Sequence, residues 1–176
     1  MPGMKQAPPR RLRHIGQGEF ATGDGSGAAI ATILGSCVAT CLFDRGAGLG
    51  GMNHFLLPEG GGSAIQPSSF GTHAMELLIN ALIKQGAIRS RLEAKVFGGA
   101  RMIKGLSDIG ARNAEFVRDF LRREGIACVA QSLGGTSARR VEFWPETGRA
   151  RQRMVAQTPV PEMPVKVEVS SDVELF

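Results

Sequence analysis

Two apolar runs, Ala28–Leu34 and Val38–Phe43, are separated only by Gly35-Ser36-Cys37. Short apolar runs bounded by turn residues read as buried strands. Asp44-Arg45-Gly46-Ala47-Gly48 then makes a turn, and Leu49–Leu57 returns as the next strand until Pro58 ends it. A chain built this way forms sheets joined by tight bends. Its 24 glycines among 176 residues suit such turns and close backbone approaches better than a helical bundle.

The rest of the chain supplies helices to cover a sheet. Met75, Leu78, Ile79, Leu82 and Ile83 recur at helical spacing, so a helix is predicted from an N-cap at Thr72 to about Gln85, with Gly86 as its stop. A second helix is predicted over about Gly110–Glu124, with Ala114, Val117, Phe120 and Leu121 on one face and Gly125 beyond. Leu92–Phe97, Ile126–Leu133, Arg140–Trp144 and Arg149–Val155 read as further strands. The expected fold class is α+β, with packed mixed or antiparallel β-sheets and two long helices on the outside.

Three segments follow. Residues 1–13 are rich in Pro and Arg and read as a disordered basic arm; residues 14–156 form a single domain; residues 157–176, with Pro159, Pro161, Pro164 and then acids, read as a flexible tail. Glu59–Gly71 is a Gly/Ser-rich loop long enough to suggest function.

Charge and composition narrow the partners. The net charge of +5 suits an acidic protein partner, and no basic cluster is interleaved with stacking aromatics, so nucleic acid is not expected. No apolar run has the length of a membrane span, so no direct membrane insertion is expected. Three cysteines, an odd number, fit a reducing cytoplasm better than a disulfide framework.

Cys37 follows the Gly35-Ser36 bend, and His54 lies at the far end of the hairpin that starts beside it. A free thiol, with a pKa of about 8.5, is mostly protonated at neutral pH, so a nucleophilic cysteine needs a base such as this histidine. The bend around Gly35, Ser36 and Val38 is positioned to offer backbone N–H groups to an oxyanion. Each residue also has a plainer reading: Cys37 as a small buried hydrophobe, His54 as a hairpin residue satisfied by its surroundings. Cys41 and Cys128 read as core. A zinc site of Cys37, Cys41, His54 and Cys128 is the sharper alternative, but it lacks the CxxC spacing of structural zinc, and no metal or cofactor is expected. His14 and His73 have no obvious partners, though His73 could line the mouth of the site. Arg139 and Arg140 could grip an acidic partner.

The blocks Leu34-Gly-Ser-Cys37-Val-Ala39, Gly50-Gly51-Met52-Asn53-His54, Leu57-Pro58, Ala94–Ala100, Ile109–Asn113 and Gly134-Gly135-Thr136 through Glu142 resemble, in this order, the CheD family of chemoreceptor glutamine deamidases. The resemblance covers roughly residues 14–156. It implies a fold similar to the cytotoxic necrotizing factor-type deamidases. It implies a cysteine hydrolase that converts receptor glutamines to glutamates, with Cys37 as nucleophile, His54 as base and a nearby threonine. The same thioester route could hydrolyse a glutamyl methyl ester. The family's threonine position falls on Ala31, and Thr32 stands one place later, so Thr32 serves only where the local strand path brings it to the imidazole. Chemoreceptor cytoplasmic helices are the implied substrate, and a CheC-type phosphatase is the implied further partner. The competing reading is a non-catalytic chemotaxis adaptor that docks without chemistry.

Overall fold

The computed structural model describes residues 10–59, 66–105, 108–156 and 169–176. Strand β1 (Leu12–His14) and β2 (Phe20–Thr22) lead into β3 (Ala29–Leu34), β4 (Val38–Asp44) and β5 (Leu49–Asn53). Helix α1 (Pro67–Gln85), β6 (Glu93–Gly98), α2 (Ile109–Glu124), β7 (Ala127–Leu133), β8 (Ala138–Trp144), β9 (Arg149–Val155) and β10 (Val169–Leu175) follow. One five-stranded sheet runs β1-β3-β8-β9-β10 and the other runs β2-β5-β4-β6-β7. Both are mixed, because β1 pairs parallel to β3 and β6 pairs parallel to β7.

The molecule has three layers: the first sheet, the second sheet, and the two helices on the outer face of the second. Strand β4 shows why its sequence is apolar throughout. Side chains alternate along a strand, and both faces of this one are covered. Val38 and Leu42 pack with Met75, Leu78, Leu82, Val117 and Phe120 under the helices. Ala39, Cys41 and Phe43 pack with Ile30, Leu34, Val141 and Phe143 between the sheets.

Several expectations change. Helix α1 starts at Pro67, inside the expected loop and five residues before Thr72, with Gln66 as N-cap. Proline is well placed in a first turn because its missing N–H would be unpaired there anyway. Both helices end where glycine was expected, at Gly86 and Gly125. Part of the expected N-terminal arm is ordered as β1. The expected flexible tail lies outside the described residues up to 168, but Val169–Leu175 pairs with β9 as an edge strand. Its proline-free alternation of Val169, Ser171, Val173 and Leu175 suits a strand.

Candidate active site

The site begins at the bend between β3 and β4, where three successive carbonyls are tied down. Gly35 O accepts from Ala100 N at 3.0 Å, and Cys37 O accepts from Gly99 N at 2.8 Å. Between them, Ser36 O accepts from Asn113 Nδ2 at 2.8 Å. Gly98 makes this close approach possible. Its φ is +109°, and a Cβ there would stand 2.2 Å from Cys37 O. Among the described residues, the amides of Gly35, Ser36 and Cys37 have no hydrogen-bond acceptor. Across a trans peptide the next residue's N–H points opposite to the carbonyl, so holding Gly35 O and Ser36 O turns the N–H groups of Ser36 and Cys37 away from those anchors, the arrangement an anion-binding concavity uses.

Val38 does not join that row, contrary to expectation. Its N–H donates to Phe55 O at 3.0 Å, and Phe55 N donates back to Val38 O at 2.9 Å. This antiparallel bridge places the pair instead. Val38 and Phe55 face the helices, so Cys37 and His54, one residue before each, face the space between the sheets. Cys37 is half-buried and His54 is 7% exposed.

Thr32 reaches the imidazole from the opposite sheet. Its Oγ1 lies 2.7 Å from His54 Nδ1 and donates to Ile15 O at 2.8 Å. A hydroxyl has one proton. With that proton committed to Ile15, Oγ1 accepts from Nδ1–H, and Nε2 is left as the basic nitrogen. On β3, Ile30, Thr32 and Leu34 face the inter-sheet layer, so Thr32, not Ala31, is the residue on the imidazole side.

Residues just before β2 complete the surroundings. Gly18 N donates to His54 O at 2.8 Å, and His54 N donates to Glu19 O at 3.0 Å. The Cys37 thiol donates to Gln17 Oε1 at 3.8 Å, and no hydrogen bond joins it to the imidazole. Sequence reading missed Ile15, Gln17 and Glu19, because nothing in the segment marks it as crossing a site. It also missed Asn113. This fully buried side chain on α2 accepts from Leu57 N at 3.0 Å while donating to Ser36 O, and so ties the bend to the end of the hairpin. A polar residue amid the apolar face of α2 was its signal.

Burial raises the Cys37 thiol above its ordinary pKa. It lowers His54 below the usual histidine range, and the nearby Glu19 charge partly opposes that shift. The resting pair is therefore neutral, thiol beside imidazole.

The other sequence candidates lie apart. Cys41 is buried in the inter-sheet core, as expected, whereas Cys128 is exposed on β7 because that edge strand has no cover. Among the described residues, no three His, Cys, Asp or Glu side chains converge on a metal position. Arg139 turns inward, donating to Ser132 O at 2.6 Å and to Gly134 O, so it is not available to an acidic partner. His73 faces a groove beside His54. Among the described residues, no helix is long and apolar enough to cross a membrane.

The geometry can be set beside known proteins. The fold is similar to that of a Neisseria meningitidis protein of the DUF152 family, solved by crystallography, with a TM-score of 0.50 at 11% identity. That match covers 73% of this chain and 65% of the other, a little under two thirds of its length. A protein of Caulobacter vibrioides named probable chemoreceptor glutamine deamidase CheD is 50% identical over 93% of this chain and 92% of its own. Proteins of the same name from Rhizobium meliloti and Rhizobium leguminosarum bv. trifolii are 55% and 50% identical. They match over 84% and 98% of this chain, and over 81% and 100% of their own. The family model described as CheD chemotactic sensory transduction matches residues 56–154, starting just beyond His54. With that model spanning more than half of the sequence, and half-identical relatives aligned along nearly all of it, the chain belongs to the CheD family.

Proposed function

We propose that this chain hydrolyses the side-chain amide of glutamine residues in chemoreceptors, with Cys37 as nucleophile and His54 as base. The observation that carries the reading is the imidazole held by Thr32 on the same face as the Cys37 thiol, with Nε2 and the amides of the preceding bend without a partner among the described residues. The names of the half-identical relatives support the substrate.

The first step needs the thiol to leave Gln17 for the imidazole. Hydrogen bonds of a catalytic pair are often long in the free enzyme and tighten around substrate. With the thiol brought to Nε2, that nitrogen accepts its proton. The sulfur attacks the carboxamide carbon, and the oxyanion is met by the amides of the Gly35–Cys37 bend. The C–N bond breaks as His54 returns the proton to nitrogen, and ammonia leaves. Water then gives a proton to His54 and attacks the thioester. The C–S bond breaks, the thiol recovers its proton, and glutamate is the product. Thr32 holds the ring and its tautomer, as the third member does in other triads.

The same acyl-enzyme would arise from a glutamyl methyl ester, so ester hydrolysis is part of the proposal. Three free cysteines, two of them not fully buried, support action in the reducing cytoplasm.

The test is incubation with a chemoreceptor cytoplasmic fragment followed by peptide mass mapping. Replacing NH₂ by OH on the acyl carbon adds about one dalton per site. Gains of that size at defined glutamines are expected. An unchanged map, with the enzyme folded, contradicts the reading.

A further inference from the structure

The Gly35-Ser36-Cys37 bend rests on two further bends. Gly98 and Gly99, at φ +109° and +66°, make one of them. Gly134 and Gly135, at φ +87° and +74°, make the other. Glycine reaches this region of backbone space freely and supplies little restraint of its own, so hydrogen bonds set these paths. Gly134 N donates to Gly98 O at 2.9 Å, and the same peptide unit donates onward through Gly99 N to Cys37 O at 2.8 Å. Alongside it, Arg101 N donates to Gly135 O at 2.9 Å, and Ala100 N donates to Gly35 O at 3.0 Å. The direction of Gly35 C=O fixes that of Ser36 N–H across a trans peptide. The alignment of the bend thus depends on the Gly134-Gly135 loop as well as on Asn113.

One side chain grips that loop from inside the molecule. Arg139 lies on β8 opposite Leu34, the last residue of β3 before the bend. It is 2% exposed and shares the inner side of β8 with Val141 and Phe143. Its Nη1 donates to Ser132 O at 2.6 Å and to Ser132 Oγ at 3.0 Å, and its Nη2 donates to Gly134 O. Among the described residues no carboxylate forms an ion pair with it, and Nε has no acceptor. A cation buried without a counter-charge is costly. A neutral side chain would cap one carbonyl at lower cost. The guanidinium adds a rigid planar fork that fixes two carbonyls at once, on either side of Leu133, so the loop leaves β7 in a single direction.

We propose that Arg139 is a positioning residue for the reaction: by holding the chain at Ser132 and Gly134 it aligns the Gly35–Cys37 bend for the oxyanion, without touching substrate. The proposal rests on the deamidase reading and adds to it a residue remote from the reacting pair in sequence. Its action falls on one step. Lost alignment raises the barrier to attack on the carboxamide, where negative charge forms on oxygen. It leaves alkylation of Cys37 unaffected, because iodoacetamide reacts at a saturated carbon and no oxyanion forms. A role in stability alone would lower the unfolding midpoint and leave kcat of the folded protein as it was.

The test compares the full chain with two variants. Arg139→Lys keeps the charge and loses the fork. Gly135→Ala leaves Arg139 intact and strains the loop at φ +74°, where a Cβ meets only Arg139 Nη2, at 3.8 Å. The kcat and KM are measured on a chemoreceptor cytoplasmic fragment by peptide mass mapping, and the iodoacetamide rate at Cys37 on the same folded samples. In Arg139→Lys, kcat is expected to fall by about tenfold to a hundredfold, with KM and the labelling rate within about twofold of the parent chain. Gly135→Ala is expected to lose several-fold in kcat with the same pattern. A folded Arg139→Lys chain with kcat within about twofold of the parent would overturn the proposal. So would a labelling rate that falls as far as kcat, since the damage would then lie at the thiol or its base. Should Arg139→Lys fail to fold, Gly135→Ala decides, and an unchanged kcat there would overturn the proposal. If the parent chain itself converts no glutamine, the deamidase reading fails; an active parent matched by its variants defeats the Arg139 proposal alone.

Discussion

Strand β4 divides its side chains between two layers that use buried polarity differently. On the helix side, Asn53 Oδ1 accepts from Thr40 N at 2.9 Å, and Asp44 accepts from Ile88 N at 2.9 Å. Asn113 serves Leu57 N and Ser36 O. These side chains bond the main chain and hold bends and strand ends in place, Asp44 also accepting from Arg91 and Asn53 also donating to Met75 Sδ. On the sheet side, Thr32 is spent on His54, which keeps one ring nitrogen unengaged. A buried polar group bonded to backbone contributes to the fold. One bonded to another side chain can also keep a lone pair for chemistry. The face toward the helices thus holds scaffold contacts, and the face between the sheets holds the proposed reacting pair.

This separation can be broken by substitution. The largest effect is expected at His54. His54→Ala should lower kcat by about a thousandfold, within the usual range for loss of an acid–base group. Its unfolding midpoint should move little, since no backbone group depends on its ring. A variant that melts early and keeps its turnover would place His54 with the scaffold.

Leu78→Ala is the opposite case. Leu78 is fully buried on the inner face of α1. Its truncation should cost about 2–5 kcal/mol of stability by denaturant titration, with kcat of the folded fraction unchanged. A matching fall in kcat would show that the helix layer is coupled to the chemistry.

Asn113 stands where the two roles meet. Asn113→Ala leaves Leu57 N and Ser36 O unpaired, at about 1–3 kcal/mol. It should also slow turnover by roughly tenfold as the amides of the bend lose alignment. Asn113→Asp keeps the acceptor for Leu57 N and loses the donor to Ser36 O. Its rate should fall by more than its stability does, and equal losses would make Asn113 purely structural.

The smallest effect concerns pH. Burial lowers the His54 pKa, and the proposed base is the deprotonated ring. The kcat/KM profile should therefore rise with pH and reach half its plateau below about 6.5, the ordinary histidine value. An acid limb centred above that value would contradict the environment described for His54.

The reach of sequence reading follows from what each signal depends on. The strands β3 to β5 and the two helix stops were legible, because turn residues and apolar runs are local. Thr32 was left open, because a one-residue offset moves a strand side chain to the other face and no local signal fixes the reference position. The structure puts Ile30, Thr32 and Leu34 on the inner face and so brings Thr32 to the ring. Strands β1 and β2 are three residues each, and their partners β3 and β5 are distant in sequence, so little marked them in advance. Val38 as an oxyanion donor failed for a related reason. Whether its amide was unpaired depended on a bridge to Phe55 that forms only when the hairpin's far end returns. Arg139 was read as an outward grip, yet strand parity turns it inward while its neighbour Arg140 faces out.

Cys37, alone among the three cysteines, is proposed to carry the acyl group. Cys37→Ala, Cys41→Ala and Cys128→Ala should be compared for conversion of glutamine to glutamate in a chemoreceptor fragment, read by peptide mass. Loss of conversion is expected in Cys37→Ala, with activity retained at Cys128→Ala and in the folded fraction of Cys41→Ala. Full conversion by a folded Cys37→Ala variant would contradict it.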